Sequence, residues 1–434
     1  MTRRPQNPQP KRPPATPELD NTAVETIGKP VFAQPVPTAD PRKFLVRHPS
    51  DNPAYKTIDA LNREHKLAPL PFPAPRGLPE PRLTLAQVLD REDADKPILA
   101  AGQIVFHCVG DTGNTRGPES QSLVADKMVS DFQESEANEI PLFFLHLGDV
   151  IYSFGEAKYY YDQFYDPYRD YPAPIIALAG NHDGMVAPGD NAPTLQAFLE
   201  NFCQEQFVVA PEAGALSRTA QIQPGVFFTF EAPFLRILTL YSNTLEDPGV
   251  IANDTIGTSQ LDYLKAALTR VKHQKFSGAL IIAHHHPAYT AGSKHGWSID
   301  MLAQIDEICT QTGVWPHAVL SGHAHNYQRL TRTHGKFQIP YLVAGNGGHG
   351  IAHLTRRGEP TLRARTVIQA ASAHADQVVL ESYDDQDYGY LRIVVNEAQL
   401  RIEYHPASDG PGAKTPDDSV TVDLATRRLV YFTG

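Results

Sequence analysis

Residues 141–150 read PLFFLHLGDV, a continuous apolar run that stops at a Gly-Asp pair. Four more apolar runs also end in polar residues: QIVFHCVGD (103–111) in Gly-Asp again, PAPIIALAGNHD (172–183) in Gly-Asn, and SGALIIAHHHP (277–287) and HAVLSGHAH (317–325) in histidines. Continuous apolar runs separated by segments of helical length are typical of strands in a sheet that is covered on both faces. These five runs therefore predict an α/β fold for the part of the chain that contains them.

Polar residues follow each of the five apolar runs. In open α/β sheets, ligands bind at the carboxyl ends of the strands. Carboxylates, amides and imidazoles are the ligands that hard metal ions prefer, and two adjacent metals share a carboxylate. A single Gly-Asp or GNHD is more often a turn or a helix cap, but their conjunction at successive strand ends predicts a two-metal site. The candidate ligands are Asp111, Asp149, Asn181, His284, His285, His286, His323 and His325.

Length, charge and cysteine content exclude several classes of protein. The 434 residues contain no apolar stretch near the ~20 residues that span a bilayer, so we expect no membrane association. The net charge is −11, and residues 101–434 alone carry about −14, which makes them a poor partner for bulk nucleic acid. Three cysteines without CxxC spacing predict neither a disulfide framework nor a cysteine zinc site. With no apolar segment behind Arg3 and Arg4, we expect a cytoplasmic protein.

The composition also divides the chain into three parts. Residues 1–35 combine many prolines with few large apolar residues, so we predict a disordered arm that could recruit a protein partner through polyproline recognition. Residues 36–100 are predicted to form a lead-in that wraps the core. Residues 101–434 are predicted to form one domain, because its candidate ligands extend from Asp111 to His325. Alternating apolar and polar residues after position 388 predict an antiparallel set of strands that closes this domain.

Five segments together resemble a known family. In order they are GDTG (110–113), GDVIY (148–152), GNHD (180–183), AHHHP (283–287) and GHAHNYQR (322–329), and they are similar to the five blocks of the calcineurin-like metallophosphoesterases. The set resembles the purple acid phosphatases more narrowly. Gly113 stands where general members have a histidine, and Tyr152 adds a tyrosine that those members lack. The resemblance, which covers roughly residues 100–405, implies a four-layer α/β/β/α sandwich of the metallophosphoesterase type.

The resemblance also implies a dinuclear metal centre. One metal would be held by Asp111, Asp149, Tyr152 and His325, and the second by Asp149, Asn181, His285 and His323. A tyrosinate is a hard anionic ligand that favours Fe(III), beside Fe(II), Zn or Mn. In the triple histidine, the family's ligand precedes the proline by two residues, which selects His285. His284 would take that role instead if the strand ended one residue earlier.

The implied activity is hydrolysis of a small-molecule phosphate monoester by attack of a metal-bound hydroxide. His182 or His295 would protonate the leaving group. His182 would also bind a phosphate oxygen, with Asp183 orienting its ring. Arg329 would either bind substrate or pair with a carboxylate, and His349 is expected to be structural.

Two other functions compete with this interpretation. A phosphodiesterase acting on nucleotides or lipid headgroups would use the same two-metal site, and residues 185–263 carry no pattern that separates the two substrate classes. A scaffold that kept the fold and lost catalysis should have lost ligands. All seven implied ligands are present in the sequence, which favours an enzyme.

Overall fold

The computed structural model describes residues 53–133, 136–292, 295–355, 362–368 and 376–430. All of these residues belong to one unit, Val36–Gly434. The predicted disordered arm, residues 1–35, and the first part of the predicted lead-in, residues 36–52, lie outside the described residues.

The described residues form strands and helices that alternate through most of the chain. In chain order, the strands are β1 (Arg82–Thr84), β2 (Gln103–Val109), β3 (Phe144–His146), β4 (Ile175–Ala177), β5 (Thr229–Ala232), β6 (Leu235–Leu240), β7 (Ala279–His284), β8 (Ala318–Ser321), β9 (Tyr327–His334), β10 (Phe337–Ala344), β11 (Thr366–Ile368), β12 (Gln377–Asp384), β13 (Gly389–Asn396), β14 (Gln399–Pro406), β15 (Asp418–Asp423) and β16 (Arg428–Leu429). The α-helices are α1 (Pro53–Arg63), α2 (Leu85–Val88), α3 (Asp95–Ala101), α4 (Glu119–Ser130), α5 (Asn181–Gly184), α6 (Gln196–Phe202), α7 (Ser259–His273) and α8 (Ile299–Thr312). Shorter helical turns span Asp131–Gln133, Ala137–Glu139, Ala157–Tyr159, Tyr161–Tyr165, Pro211–Ala213 and Ala407–Asp409.

The strands form two sheets. One has seven strands in the order β16-β15-β14-β13-β2-β3-β4, and the other has nine in the order β1-β5-β6-β7-β8-β10-β9-β12-β11. The strands β2, β3 and β4 are parallel, and the antiparallel set β13–β16 joins them through β13. In the larger sheet, β6, β7, β8 and β10 are parallel. The antiparallel set predicted after position 388 is therefore confirmed, and it extends the smaller sheet.

The apolar core lies in layers on both sides of each sheet. Between the sheets, Phe106 and Leu145 of one sheet pack in the same buried cluster as Ile281 and Leu320 of the other. The outer faces are covered by helices: α4 contacts β13 of the smaller sheet, and α7 contacts β6 of the larger one. The four-layer α/β/β/α sandwich predicted from the sequence is thus confirmed. It also explains the continuous apolar runs, because a strand covered on both faces has no solvent-facing side.

The five apolar runs differ from the prediction in one respect. All five form strands, but β2, β3 and β4 lie in the smaller sheet while β7 and β8 lie in the larger one. The strand ends that carry the candidate ligands therefore belong to two sheets, and their common position depends on how those sheets stack.

Residues 53–101 are integrated with the rest of the described chain. Strand β1 adds to the edge of the larger sheet by pairing in parallel with β5. The guanidinium of Arg76 donates hydrogen bonds to the backbone carbonyls of Cys203 and Gln223. None of the described helices is long and apolar enough to cross a membrane. The cysteines Cys108, Cys203 and Cys309 are free thiols.

Candidate metal centre

The seven implied ligands all follow the carboxyl ends of strands, and the structure buries each of them. Three of them, Asp111, Asp149 and His323, have positive φ angles of 57°, 55° and 66°. This left-handed backbone conformation is uncommon for residues other than glycine, and it is concentrated at functional sites. Each turn thereby directs its polar side chain back towards the strand ends.

Two glycines allow the turns to approach each other closely. A Cβ atom on Gly180 would lie 2.1 Å from Asp149 Oδ1, and one on Gly322 would lie 2.5 Å from Asp111 Oδ2. Both distances are far inside van der Waals contact, so any larger residue would displace a candidate ligand. The glycines of GNHD and GHAH are therefore explained by packing against carboxylates of other strands.

One group of ligand atoms converges around His285. Its Nδ1 donates a hydrogen bond to the carbonyl oxygen of Leu147 at 2.8 Å, which turns Nε2 towards the other candidate ligands. That Nε2 atom lies 3.1 Å from Asn181 Oδ1 and 3.2 Å from Asp149 Oδ2. His323 Nδ1 is 3.2 Å from the same Asn181 oxygen. Asp149, His285 and His323 offer ligand atoms that all lie within 4.8 Å of one another.

A second group surrounds the phenol of Tyr152. Its hydroxyl donates a hydrogen bond to Asp111 Oδ1 at 3.1 Å and lies 3.3 Å from His325 Nε2. His325 Nε2 is also 3.4 Å from Asp111 Oδ1. The two groups are adjacent, because Asp111 Oδ1 lies 4.0 Å from His285 Nε2. The structure thus brings together all seven residues that the resemblance implied as ligands.

These side chains fit metal ions because the buried cluster requires positive charge. Asp149 Oδ2 is fully buried and lies 3.2 Å from His285 Nε2, so its negative charge depends on a positive partner within the cluster. Burial, followed by the nearby charge of Asp149, raises the pKa of Asp111 to about 7. Burial alone would lower the pKa of His285, but Asp149 and Asp111 raise it to about 10, so a proton on that ring takes the place of a cation. A set of carboxylate, imidazole, amide and phenol donors of this kind suits hard or borderline metal ions.

The adjacent histidines His284, His285 and His286 differ in their surroundings. His284 is the last residue of β7, and its Nδ1 donates a hydrogen bond to the backbone carbonyl of His286 at 2.6 Å. Burial lowers the pKa of His284 to about 4, so it stays neutral within the fold. His286 Nε2 donates to the carbonyl of Leu245. Only His285 directs a ring nitrogen at the ligand cluster.

The two histidines proposed for acid catalysis both lie beside this cluster. The Nδ1 atom of His182 donates to the carbonyl oxygen of Ser153 at 2.7 Å, and its Nε2 is 3.9 Å from Asp149 Oδ2. The His295 ring centre lies 4.6 Å from that of His323 and 5.2 Å from that of His325.

The expectation that Asp183 orients the His182 ring is wrong. The Asp183 carboxylate accepts hydrogen bonds from the backbone N–H groups of Val150 and Gly180, so it stabilises the neighbouring turns instead. The carbonyl oxygen of Ser153 fixes the tautomer of His182.

The substrate-binding role expected for Arg329 is contradicted by its contacts. Its guanidinium makes a two-pronged ion pair with Asp418, at 2.7 and 2.8 Å, and Tyr327 donates to the same carboxylate. Arg329 is not among the described residues that line the cavity at the ligand cluster. It takes the other role considered from the sequence, the pairing of a carboxylate, here a partly buried one, and it joins β9 to β15.

A cavity of about 920 Å³ opens over the ligands, and part of its wall was missed by the sequence analysis. Tyr55 of α1 donates a hydrogen bond to Glu246 and lies 3.5 Å from His182 Nε2. Glu246 Oε1 is itself 3.4 Å from His182 Nε2. One signal was available, because the apolar residues of β6 are followed by YSNTLED (241–247), another polar cluster at a strand end.

His349 also lies closer to the site than expected. Its ring stacks on Tyr152 with 3.5 Å between ring centres, and its Nδ1 donates to the carbonyl oxygen of Gly113. It lines the same cavity. The His349 imidazole, which comes from a distant turn, therefore contacts the backbone of Gly113. General members of the family have a histidine at the position of Gly113.

The chain is similar to a known protein family and to several solved structures. Residues 104–327 match the model of the family described as calcineurin-like phosphoesterase. Among solved structures, the chain is similar to GAP50, the anchor in the inner membrane complex of Plasmodium, at 13% identity and a TM-score of 0.49, covering 74% of this chain and 89% of that one. It is also similar to PhoD, at 15% identity and a TM-score of 0.44, covering 77% of this chain and 72% of that one. No curated protein matched significantly.

Proposed function

The chain belongs to the calcineurin-like phosphoesterase family, and from that premise we propose that it is a metal-dependent phosphatase. Its substrates are small-molecule phosphate monoesters, and its site is dinuclear, as in the purple acid phosphatases. The observation that carries the proposal is the position of Tyr152. Its phenol oxygen lies within 3.3 Å of both an aspartate oxygen and a histidine nitrogen of the cluster, where it could complete a ligand set for a trivalent ion.

The residues that would hold the metals are those of the two groups described above, with Asp149 shared. Bound metal ions would neutralise the charge of the phosphoryl group and lower the pKa of water enough to provide a nucleophile. The pairing of Fe(III) with Fe(II), Zn or Mn follows from the tyrosine and remains part of the proposal.

His182 would act on the phosphoryl group. Because its Nδ1–H is held by the carbonyl of Ser153, Nε2 is the atom that can give a proton or a hydrogen bond to a phosphate oxygen. The carboxylate of Glu246 lies 3.4 Å from Nε2. In its protonated form, His182 would bind the anionic substrate through this atom and reduce its charge as the leaving group departs.

His295 would protonate the leaving oxygen. Its ring lies beside both His323 and His325, so it borders the ligand cluster. Histidine is the side chain most often used for such proton transfer, which typically accelerates a reaction 10²- to 10⁴-fold.

Hydrolysis of diesters is the second candidate, and one observation favours it. Glu246 places a buried carboxylate at the cavity wall, which disfavours a doubly charged ligand. A phosphate monoester loses its second proton with a pKa of about 6, whereas a diester carries one charge throughout this range. Below that pKa both substrates carry one charge, so the comparison is cleanest in acid.

The experiment compares p-nitrophenyl phosphate with bis-p-nitrophenyl phosphate at about pH 5, where both are monoanions. The metal content of the same full-length protein is measured by elemental analysis. We expect two metals per chain, one of them iron, and a higher kcat/KM for the monoester. Faster cleavage of the diester would replace the monoesterase proposal with the second candidate.

A pair of variants controls this assay. Asp149→Asn removes a carboxylate that contacts both His182 and His285, and we expect loss of metal and at least about a thousandfold loss of kcat, in the range of a lost metal-activated nucleophile. Asp170→Asn makes the same change at a side chain that is 81% exposed, and it should retain both. Equal activity of the two variants would contradict the dinuclear site.

A further inference from the structure

A second cavity, of about 670 Å³, lies next to the cavity over the ligand cluster. The two cavities share His65 and Asp247 in their linings, so they are adjacent. The second cavity is walled mainly by apolar side chains, and we call it the apolar groove. Its apolar residues include Pro248, Trp297, Ile299, Leu362, Val367 and Ile368.

We propose that the apolar groove binds the alcohol part of the substrate, and that the preferred substrates are phosphate esters with an apolar alkyl or aryl group. This inference rests on the proposed function and adds a substrate class to it. In the reaction, the P–O bond to the alcohol breaks, water supplies the new oxygen on phosphorus, and the departing oxygen takes a proton. The alcohol is thus the group that must fit next to the cluster.

The position of the groove matches the side from which the alcohol would leave. Asp247 Oδ1 lies 3.6 Å from His323 Nε2 and accepts a hydrogen bond from the backbone of Gly296 at 3.0 Å. His295, the proposed proton donor, directly precedes Gly296 and Trp297, which line the groove. The proton donor therefore lies between the ligand cluster and the groove, where the departing oxygen would be.

The chemistry of the groove favours an apolar group. Val367 is 55% exposed and Ile299 is 43% exposed, and large apolar side chains that share one concave surface are typical of a binding site. Its described lining contains no lysine or arginine, so it would not bind a second phosphate group. The one carboxylate at its entrance, Asp247, would repel such a group as well.

The groove wall is supported from behind. The ring of Trp297 packs edge to face against Tyr289 at 6.4 Å, and Tyr289 packs in the same way on Tyr341 of β10 at 4.8 Å. Tyr289 and Tyr341 are both buried. A wall held by such contacts loses little freedom when a ligand binds, which lowers the cost of binding.

The test measures kcat/KM for n-alkyl phosphates from ethyl to octyl with the full-length, metal-loaded protein, using p-nitrophenyl phosphate as the reference substrate. We expect kcat/KM to rise about two- to fourfold per methylene over several carbons, the effect of moving each CH₂ from water into an apolar site. Affinities for ethylphosphonate and octylphosphonate, which cannot be hydrolysed, are measured by calorimetry and should differ in the same direction.

Two matched variants locate the effect. Val367→Asp introduces a charge into the groove. It should remove the rise of kcat/KM with alkyl chain length and make the affinities for ethylphosphonate and octylphosphonate similar. Val209→Asp makes the same change at a valine that is 51% exposed and outside the groove lining, and it should keep the slope.

The outcomes separate this inference from the proposed function. A flat series in the unchanged protein that still hydrolyses p-nitrophenyl phosphate overturns the groove and leaves the phosphatase. A slope that survives Val367→Asp also overturns it. Length-dependent phosphonate binding without any hydrolysis supports the groove and overturns the phosphatase.

Discussion

Tyr152 is the residue whose phenol bears most directly on the identity of the metal. Burial raises its pKa well above the usual value, and the carboxylates of Asp111 and Asp149 raise it further. The phenol therefore stays protonated unless a cation of high charge binds its oxygen, because a bound cation reverses the local effect on the pKa. A tyrosinate at this position would thus report a strongly charged metal.

We predict that Tyr152→Phe lowers kcat by at least about tenfold, as for the loss of a group that supports a metal site. It should also abolish visible tyrosinate-to-iron absorption and reduce the iron content, measured by spectroscopy and elemental analysis. Tyr160→Phe is the control, because Tyr160 is also fully buried and its hydroxyl has no described hydrogen-bond partner. Unchanged colour in Tyr152→Phe would show that the phenol is not a ligand.

Arg329 provides a second prediction at the scale of one side chain. Because its guanidinium pairs with Asp418, Arg329→Gln should leave a partly buried carboxylate short of partners and lower the free energy of unfolding by about 1–3 kcal/mol. The KM for p-nitrophenyl phosphate should change less than about twofold, since uniform substrate binding is not affected. Urea unfolding and steady-state kinetics check the two expectations. A large rise in KM at unchanged stability would restore the substrate-binding role.

Helix α1 is the element that most changes the description of the site. Tyr55, Asp59 and Asn62 recur at a spacing that places them on one helical face, and all three line the cavity over the ligands. The side-chain oxygen of Asn62 accepts hydrogen bonds from the backbone N–H groups of Glu246 and Asp247, which continues the contact along the helix. The segment predicted as a lead-in therefore supplies part of the candidate active site.

We predict that Tyr55→Phe lowers kcat about two- to tenfold and the free energy of unfolding by about 1 kcal/mol, because Glu246 loses a hydrogen bond beside His182. The pH profile of kcat should shift as well, which a purely structural effect would not cause. Lys56→Gln, on the exposed face of the same helix, serves as the control. If both variants gave the same pH profile as the unchanged protein, Tyr55 would have no role in positioning His182.

At the scale of the whole molecule, a buried histidine outside the ligand cluster connects the two stacked sheets. His317 Nδ1 accepts a hydrogen bond from the backbone of Leu280 in β7 at 2.9 Å, and its Nε2 donates to the carbonyl of Leu424 after β15 at 3.1 Å. It thus joins the larger sheet to the end of the smaller one. Burial lowers its pKa to about 4.

This shift predicts a pH dependence of stability. The unfolded chain binds a proton at His317 near pH 6.5, but the folded protein binds it only near pH 4, so the contribution is complete above about pH 6.5 and declines as the pH falls. When the pH falls from 7 to 5, this group should lower the free energy of unfolding by about 2 kcal/mol. Urea unfolding at the two pH values should therefore show that His317→Gln loses less stability than the unchanged protein, by about that amount. An identical loss in both proteins would contradict the assignment.

The sequence by itself determined the family, the fold class and the main strands. Continuous apolar runs identify strands covered on both faces, and the polar residues after them mark the edge where ligands meet, because both patterns depend on neighbours in the chain. The same local order selected most of the candidate ligands, and the resemblance added Tyr152 and completed the set of seven side chains that the structure brings together. Their role as metal ligands stays a prediction. The resemblance favoured His285 over His284, because the family's ligand precedes the proline by two residues, and the contacts of the two rings agree with that preference.

Only the tertiary structure decided how these pieces combine. It divided the five predicted strands between two sheets, paired Arg329 with Asp418 and placed α1 over the ligands. The hydrogen bond from Tyr55 to Glu246 joins residues 191 positions apart, and no local sequence pattern predicts such a contact. A periodic pattern shows which face of an element is buried, but the partner on that face depends on the packing of the whole chain. The packing of the whole chain therefore forms the wall of the cavity, and with it determines the choice of substrate.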